Sequence, residues 1–291
     1  MSVDRLLLAE LQEEERNNIL NLFEQGVTIP PQPSVLVELQ EALQSEETDV
    51  RKMASIVSAD PGIVAALFRV VKNTSYHRFQ PFTSVLQIFQ AIGAHQTFNL
   101  VRAISLMSAL PSKKNRKAFE SYWARSHAIA DLSMLIAADR VTVCNIFPDQ
   151  ACLAGTFHDC GVPVLMQRFP NYCKEMRLEE RGCWANLAEE DEKFNADHCV
   201  IGFLMAKYWK LPGFICDAIR FHHDIARLDD HESRTMVSIL QLAMHIYHQE
   251  QGIVDPEWAR NSSCVLDELG IAEDGLPEMV DVILERYHAS E

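Results

Sequence analysis

The residues best suited to chemistry are five histidines and one aspartate between residues 127 and 223: His127, His158, Asp159, His198, His222 and His223. Each lies on the apolar side of a predicted helix. A neutral imidazole is the commonest nitrogen ligand for Zn, Fe, Ni or Mn, and a carboxylate can join it. The set therefore predicts a transition-metal centre or the remains of one, although any single inward histidine is more often a hydrogen-bonded core residue.

The pair His158-Asp159 says most about how such a site would be built. Adjacent helical residues point about 100° apart, so both can reach one site mainly near the end of a helix. Gly161 and Pro163 supply that end, and His222-His223 repeats the adjacency. The other histidines show no such pattern and are predicted to be surface or structural residues: His77, His95, His231, His245, His248 and His288.

The elements that would position these residues are helices. Apolar residues recur at helical spacing along almost the whole chain, and no sustained two-residue alternation indicates a strand. The sequence therefore predicts an all-α fold. We divide it into an acidic N-terminal helix (1–28), an N-terminal helical subdomain (29–112), a second helical subdomain (113–250) and a C-terminal helical extension (251–291).

Helix boundaries follow from capping residues, glycines and prolines. The N-terminal helix should cover about residues 4–25, and others should begin near Ser34, Asp49, Asp60 and Ser84, the last ending at Gly93. Further helices are predicted over about residues 96–110, 118–139, 149–159, 184–190, 197–209, 213–223 and 234–250. Pro256 and Pro277 mark breaks in the extension.

The composition limits the classes of partner that we expect this chain to bind. A formal charge of −15 argues against a surface that neutralises phosphates, so we expect no nucleic-acid binding. The basic run Lys113, Lys114, Arg116 and Lys117 is predicted to be a solvated loop. Neither a secretory segment nor a membrane span is recognised. We therefore expect a cytoplasmic protein with no membrane partner.

The cysteines agree with a reducing compartment. The chain has eight, and none forms the C-x-x-C spacing of zinc ribbons and redox pairs. Cys160, Cys199 and Cys216 lie inside apolar helical patterns. We expect them to be reduced thiols that pack as small hydrophobic residues.

Several short patterns occur in an order that resembles a known family. Those around His158-Asp159 and the later histidines resemble the HD-domain superfamily, whose members bind metals and hydrolyse phosphate esters: Trp123–Ala130, Ala151–Gly161, Asp197-His198 with Gly202, and Arg220–Asp224. The N-terminal patterns resemble its HDOD subfamily, the HD-related output domain: Ile29–Pro33, Ile56–Pro61, Val71–Tyr76 and Ser84–Gly93.

The HDOD resemblance covers about residues 25 to 250 and implies an HD-domain-like helical bundle. It implies metal-ligand positions for a divalent transition metal, Fe, Mn, Ni or Zn, at His127, His158, Asp159, His198, His222 and His223.

Three departures from active relatives weaken the case for catalysis. Met244 stands where the superfamily has a late aspartate ligand, and Val162 stands where a lysine often follows the His-Asp pair. The Gly-Tyr-Pro signature of cyclic-di-GMP phosphodiesterases is absent after His223. Phosphodiester hydrolysis needs a metal-activated water and a second metal or cation to neutralise charge. We therefore expect a degenerate metal site.

The resemblance leaves three functions open. The first is a bacterial signal-transduction module that acts through signalling proteins, including components of cyclic-dinucleotide pathways. The second is a metal-dependent phosphohydrolase acting on a nucleotide or cyclic dinucleotide. The third is a sensor that binds a nucleotide without turnover. The losses at Met244 and Val162 favour the first.

Overall fold

A computed structural model of the chain describes residues 13–24, 26–45, 48–72, 82–110, 115–180 and 182–289. These residues form helices joined by turns, and no β-strand occurs among them. The all-α prediction is confirmed. The N-terminal helix is seen as α1, Glu13–Glu24, and the earlier part of its predicted range lies outside the described residues.

The N-terminal half is a stack of short helices: α2 (Ser34–Leu43), α3 (Val50–Ser58), α4 (Pro61–Lys72), α5 (Val85–Ile92) and α6 (Ala94–Ala109). The expected caps are present. Asp60 Oδ1 accepts hydrogen bonds from the amides of Gly62 and Ile63 at 2.9 and 3.1 Å, and Ser84 caps α5. Gly93, with φ of 108°, turns the chain directly from α5 into α6.

The second half begins with the long helix α7. The helices before residue 225 are α7 (Arg116–Cys144), α8 (Pro148–Phe157), α9 (Gly161–Arg168), α10 (Tyr172–Glu175), α11 (Leu187–Phe194), α12 (His198–Tyr208) and α13 (Gly213–Phe221). A 3₁₀ turn, Ile225–Arg227, leads to α14 (His231–Gln251). It is followed by α15 (Pro256–Leu269), a second 3₁₀ turn (Glu273–Gly275) and the last helix, α16 (Leu276–His288).

Several predicted boundaries differ from the structure. Helices α9 and α10 were not expected, and α11 starts at Leu187 rather than at residue 184. Pro163 does not end a helix but lies in the first turn of α9, where its missing N–H costs no intrahelical bond. Pro256 likewise opens α15. Both prolines mark breaks in the chain, as predicted, but each lies in the first turn of a new helix.

The two halves pack on each other through α6 and α8, and α7 runs alongside α8 and α14. Tyr122, Phe157 and Trp209 are fully buried between these helices. The indole N–H of Trp209 donates to the carbonyl of Pro30 at 3.1 Å, which ties the entry segment to the second half. The subdomain boundary predicted near residue 112 falls between α6 and α7, and it stays a prediction.

No single helix in the described part of the chain is long and apolar enough to cross a membrane. One pair, α3 and α4, passes by length and composition, but the two helices are bent by 114°. All eight cysteines are free, and Cys160, Cys199 and Cys216 are buried. Of the predicted basic loop, Arg116 and Lys117 open α7, whereas Lys113 and Lys114 lie outside the described residues.

Candidate metal centre

Three helix ends bring the central residues together. His158 and Asp159 follow the last residue of α8, His198 is the first residue of α12, and His222-His223 follows the last residue of α13. Because α12 packs against both α9 and α13, these ends meet. As expected, the adjacent residues His158 and Asp159 lie at the end of a helix, and so do His222 and His223.

Gly161 allows two of these ends to approach closely. A Cβ atom added at this position would lie 2.1 Å from the carbonyl oxygen of His198. No real Cβ contact is that short, so only glycine fits between the turn at residues 158–160 and the start of α12. The glycine after the His-Asp pair therefore has a steric role in assembling the site.

The side chains converge on the carboxylate of Asp159. Its Oδ1 lies 3.3 Å from Nε2 of His222 and 3.4 Å from Nε2 of His198, and its Oδ2 lies 3.0 Å from Nε2 of His158. Nε2 of His223 lies 3.2 Å from Nε2 of His198. Five of the six predicted ligand residues thus form one cluster, in which every imidazole directs the same ring nitrogen inward.

The other nitrogen of each ring is held by an oxygen acceptor. Nδ1 of His158 and of His222 bond to backbone carbonyls, of Gly155 at 2.6 Å and of Ile219 at 2.8 Å. Because a carbonyl can only accept, these Nδ1 atoms carry the proton and Nε2 keeps its lone pair in the neutral ring. This arrangement is how proteins orient histidines that bind metals.

Two glutamates orient the remaining rings. Glu190, which is fully buried, accepts from Nδ1 of His198 at 2.7 Å, from its backbone amide at 3.1 Å and from the Tyr172 hydroxyl. Glu257, on α15, lies 2.8 Å from Nδ1 of His223. Sequence reasoning missed both carboxylates, because Glu190 lies within an acidic run that is typical of an exposed helix.

Several inward atoms lack hydrogen-bond partners. Nε2 of His158, Nε2 of His222 and Oδ1 of Asp159 are all buried without one, although their neighbours are close. A buried polar atom left unpaired is costly, and natural proteins rarely leave several in one place. Imidazole nitrogens around one carboxylate are a donor set that suits a divalent transition metal. The residues present therefore fit such an ion.

Burial and charge shift the titration of the cluster. Burial alone would lower the pKa of His222, but the neighbouring Cys199 and Asp159 raise it to about 10. The pKa of His198 is also raised despite burial, through Cys199 and Glu190. Burial and the charge of His222 lower the pKa of His223 to about 4. Contacts with the histidines outweigh burial and hold the pKa of Asp159 well below its usual range.

His127 does not join this cluster, which corrects the predicted ligand set. Its half-buried ring packs near Trp123, with ring centroids 6.1 Å apart. Burial and the charge of Arg69 lower the pKa of His127 to about 4. Arg125, two positions earlier on α7, reaches Asp159 instead, with Nε 3.5 Å from Oδ2. Helical residues two apart point about 200° from each other, so these two side chains face opposite sides.

Two histidines first assigned to surface or structural roles support Arg125. Nε2 of His248 accepts from the Arg125 guanidinium at 3.1 Å, and Nδ1 of His248 lies 3.2 Å from Asp255. The same carboxylate bonds to His245 at 3.2 Å. His245 also stacks on Trp258, with ring centroids 4.1 Å apart. These contacts link α7, α14 and α15 beside the cluster.

Cys199 is close to the cluster, but its thiol faces the Nδ1 side of the His222 ring, away from Nε2. The ligand atoms of His198, Cys199, His222 and His223 lie within 4.8 Å of one another. The thiol sulfur, however, lies 3.8 Å from Nδ1 of His222, the nitrogen that donates to Ile219. We therefore place the metal centre at the Nε2 atoms and Asp159, where the free lone pairs point.

Two cavities border this region. One of about 450 Å³ is lined by His223, Asp224, Glu257, Arg260 and Asn261 and by the segment 185–188. The other, of about 240 Å³, is lined by Arg125, Trp184, Tyr247 and His248 among others. The indole N–H of Trp184 donates to Oδ2 of Asp159 at 2.7 Å and separates the second cavity from the cluster.

An all-helical chain with a buried histidine and aspartate cluster at helix ends defines an HD-like class of protein. Within it, the chain belongs to the HDOD domain family, whose model matches residues 29–225. The resemblance seen in the sequence is confirmed. The match ends before α14 and α15, which contribute His248 and Glu257 to the site.

Solved structures share the fold at low sequence identity. A candidate metal-dependent phosphohydrolase from Shewanella amazonensis SB2B has a TM-score of 0.73 at 18% identity, covering 96% of this chain and 98% of that one. A candidate signal transduction protein from Marinobacter aquaeolei VT8 has a TM-score of 0.69 at 18% identity, covering 97% and 65%. An HDOD protein of unknown function from Geobacter sulfurreducens has a TM-score of 0.61 at 21% identity, covering 94% and 99%.

One curated relative matches the chain, and its description names no activity. It is a protein of Treponema pallidum (strain Nichols) without a functional description, 19% identical over 240 residues. The alignment covers 80% of this chain but only 45% of the relative. The chain therefore spans less than half the length of that protein.

Proposed function

We propose that this chain is a bacterial signal-transduction HDOD domain that holds a divalent transition metal in a buried histidine centre and acts through protein partners. The observation that supports the metal is the convergence of three Nε2 atoms on Asp159, with a fourth, of His223, beside Nε2 of His198. Three of these inward atoms are buried without a hydrogen-bond partner. The ligands would be His158, Asp159, His198, His222 and His223. The nitrogen-rich set suits Fe, Mn, Ni or Zn.

The burial of the centre favours a regulatory role over a catalytic one. His158, His198 and His222 are completely buried and Asp159 is 1% exposed, and of the proposed ligands His223 alone lines either of the two cavities described above. Met244 and Val162 are buried apolar residues where active relatives carry an acid and a lysine. The net charge of −15 suits protein partners better than nucleic acid. The Marinobacter neighbour, described as a candidate signal transduction protein, is consistent with this role.

A second function, metal-dependent phosphohydrolase activity on a nucleotide or cyclic dinucleotide, is favoured by one feature. The cavity of about 450 Å³ opens onto His223 and includes Arg260, whose guanidinium could pair with a phosphate. When bound, a metal would supply an activated water and neutralise phosphate charge. The chain itself would bind the ester through Arg260 and Asn261 and would keep His223 oriented through Glu257.

Metal content and turnover separate these functions. The purified chain would be supplied with Mn²⁺ or Fe²⁺, analysed for bound metal and assayed with bis(p-nitrophenyl) phosphate and with cyclic dinucleotides. We expect bound metal without turnover in the native protein and loss of metal in His158→Ala and Asp159→Ala. His231→Ala is the matched control, because its side chain is 80% exposed and pairs with Glu268, outside the cluster.

Turnover that disappears in His158→Ala and Asp159→Ala would favour the phosphohydrolase and contradict the regulatory proposal. A native protein that takes up no metal would contradict both. Pull-down of partners from a bacterial lysate with the metal-loaded chain, compared with Asp159→Ala, would test whether signalling proteins bind it.

A further inference from the structure

A buried positive charge lies beside the ligand carboxylate and has no part in the metal centre as proposed above. Arg125 is 6% exposed, and its Nε lies 3.5 Å from Oδ2 of Asp159. This contact is an ion pair without the alignment of a hydrogen bond, because Arg125 Nε has no hydrogen-bond partner. The positive charge of Arg125 therefore lies beside the Asp159 carboxylate without a hydrogen bond between them.

The two oxygens of Asp159 face different chemistry. Oδ1 faces Nε2 of His198 and of His222 at 3.4 and 3.3 Å, and both atoms can offer lone pairs. Oδ2 accepts the indole N–H of Trp184 at 2.7 Å and faces the Arg125 guanidinium. Indole and guanidinium nitrogens carry hydrogens and offer no lone pair to a metal. On this side only Nε2 of His158 remains as a donor, 3.0 Å from Oδ2.

We propose that Arg125 is the fixed second cation of this centre, so that the chain binds one divalent metal ion and excludes a second. The inference rests on the proposed metal site. A second ion sharing Asp159 would have to approach through Oδ2. It would meet a full positive charge in a buried, weakly screened place, and too few donors to replace its water.

The guanidinium is held so that it cannot swing away. Its Nη1 donates to Nε2 of His248 at 3.1 Å, and His248 is backed by Asp255. The rings of Trp184 and Tyr247 lie over the guanidinium carbon at 5.0 and 5.4 Å from their centroids, a geometry that favours a cation. A hydrogen bond and two aromatic faces therefore keep the charge beside Oδ2.

Counting Mn²⁺ ions tests the proposal. The chelator-stripped full chain would be saturated with Mn²⁺, desalted and analysed for Mn per chain, with electron paramagnetic resonance to distinguish isolated from coupled ions. We expect one isolated ion in the native chain and in Arg125→Lys, which keeps a cation. In Arg125→His, which replaces the cation with a neutral donor, we expect a second and weaker Mn²⁺. Circular dichroism would show that each variant folds.

The outcomes are distinct. Two ions in the native chain would overturn the role of Arg125 while leaving the metal site intact, and this count needs no variant. A folded Arg125→His that binds one ion as the native chain does would also overturn it. No ion in the native chain would contradict the proposed function itself.

Discussion

The four imidazoles of the cluster are oriented one by one, each through its Nδ1 atom. Two bond to carbonyls of their own helix ends, of Gly155 and Ile219, and two bond to the carboxylates of Glu190 and Glu257. The Nε2 atom of each ring is thereby oriented as a metal ligand before any metal binds. The carboxylate partners would also make their rings more basic and so better ligands.

Glu257 offers a test of this orientation. Glu257→Ala should weaken metal binding about 10- to 100-fold, because His223 loses the acceptor that fixes its ring. Glu257→Gln keeps an acceptor oxygen and should retain much of the affinity. Titration calorimetry with Zn²⁺ would measure both. Glu250→Ala is the control, since Glu250 also pairs with a histidine, His288, but on the surface; equal losses in both alanine variants would contradict the role.

His127 makes a separate prediction about pH. Burial and Arg69 lower its pKa to about 4 from an ordinary 6.5, so below pH 6.5 the unfolded chain binds this proton before the folded chain does. Stability from this residue is present above pH 6.5 and is lost as the pH falls towards 4. The loss between pH 7 and pH 5 should be smaller in His127→Gln by about 1 to 2 kcal/mol.

Urea unfolding at pH 7 and pH 5 would measure this difference. Identical pH dependence in the native chain and His127→Gln would show that the imidazole is not held neutral by the fold.

The sequence identified most of the cluster but not all of its chemistry. The histidines at 158, 198, 222 and 223 could be found because each is a polar residue in an apolar helical pattern. Arg125 could not be separated from His127 in this way, because the rotation of α7 about its axis decides which of them faces Asp159. Glu257 lies 34 residues after His223, and Glu190 lies only eight residues before His198 but within an acidic run, so only packing shows their roles.

At the scale of elements, the site depends on helix ends that meet without steric conflict. The turn after α8 passes the first residue of α12 so closely that residue 161 has no room for a side chain. Neighbouring residues at the start of α12, Asp197 and His198, also serve both the helix and the site. Asp197 caps α12 by accepting from the amide of Val200 at 2.8 Å, and the next residue is a ligand.

Gly161→Ala should therefore disrupt both the fold and the centre. The added Cβ would lie 2.1 Å from the His198 carbonyl oxygen, so α9 and α12 must move apart. We expect a loss of about 2 to 4 kcal/mol in the free energy of unfolding and loss of metal binding. Gly213→Ala is the matched control, because nothing lies within 4 Å of its added Cβ. Equal stability in the two variants would contradict the steric role.

The helix pattern itself was largely predictable. Caps such as Asp60 and Ser84 have local causes and gave correct starts. Helix α9 was missed because Pro163 follows Gly161 so closely that the segment is typical of a break. The reason is physical, since proline is excluded from helix interiors but not from the first turn.

At the scale of the whole molecule, the centre joins segments that are far apart in the chain. Ligands come from the ends of α8, α12 and α13, whereas Glu257 and His248 come from α15 and α14, beyond the region that matches the family model. The C-terminal helices are therefore part of the site. A metal ion at its middle would hold these elements together.

Metal should accordingly stabilise the entire chain. A ligand that binds only the folded state at 100 times its dissociation constant adds about 2.7 kcal/mol. We expect a higher melting temperature with Mn²⁺ or Zn²⁺ than with a chelator, monitored by calorimetry. His198→Ala should abolish the difference. A metal-induced rise that persists in His198→Ala would place the ion elsewhere.

The central claim is that the cluster around Asp159 is a metal site. Elemental analysis of the purified, metal-supplemented protein tests it most directly, with Asp159→Ala and His222→Ala measured alongside. We expect one divalent transition-metal ion per native chain and close to none in either variant. A correctly folded native chain that retains no metal would contradict the account and leave the histidines as core residues.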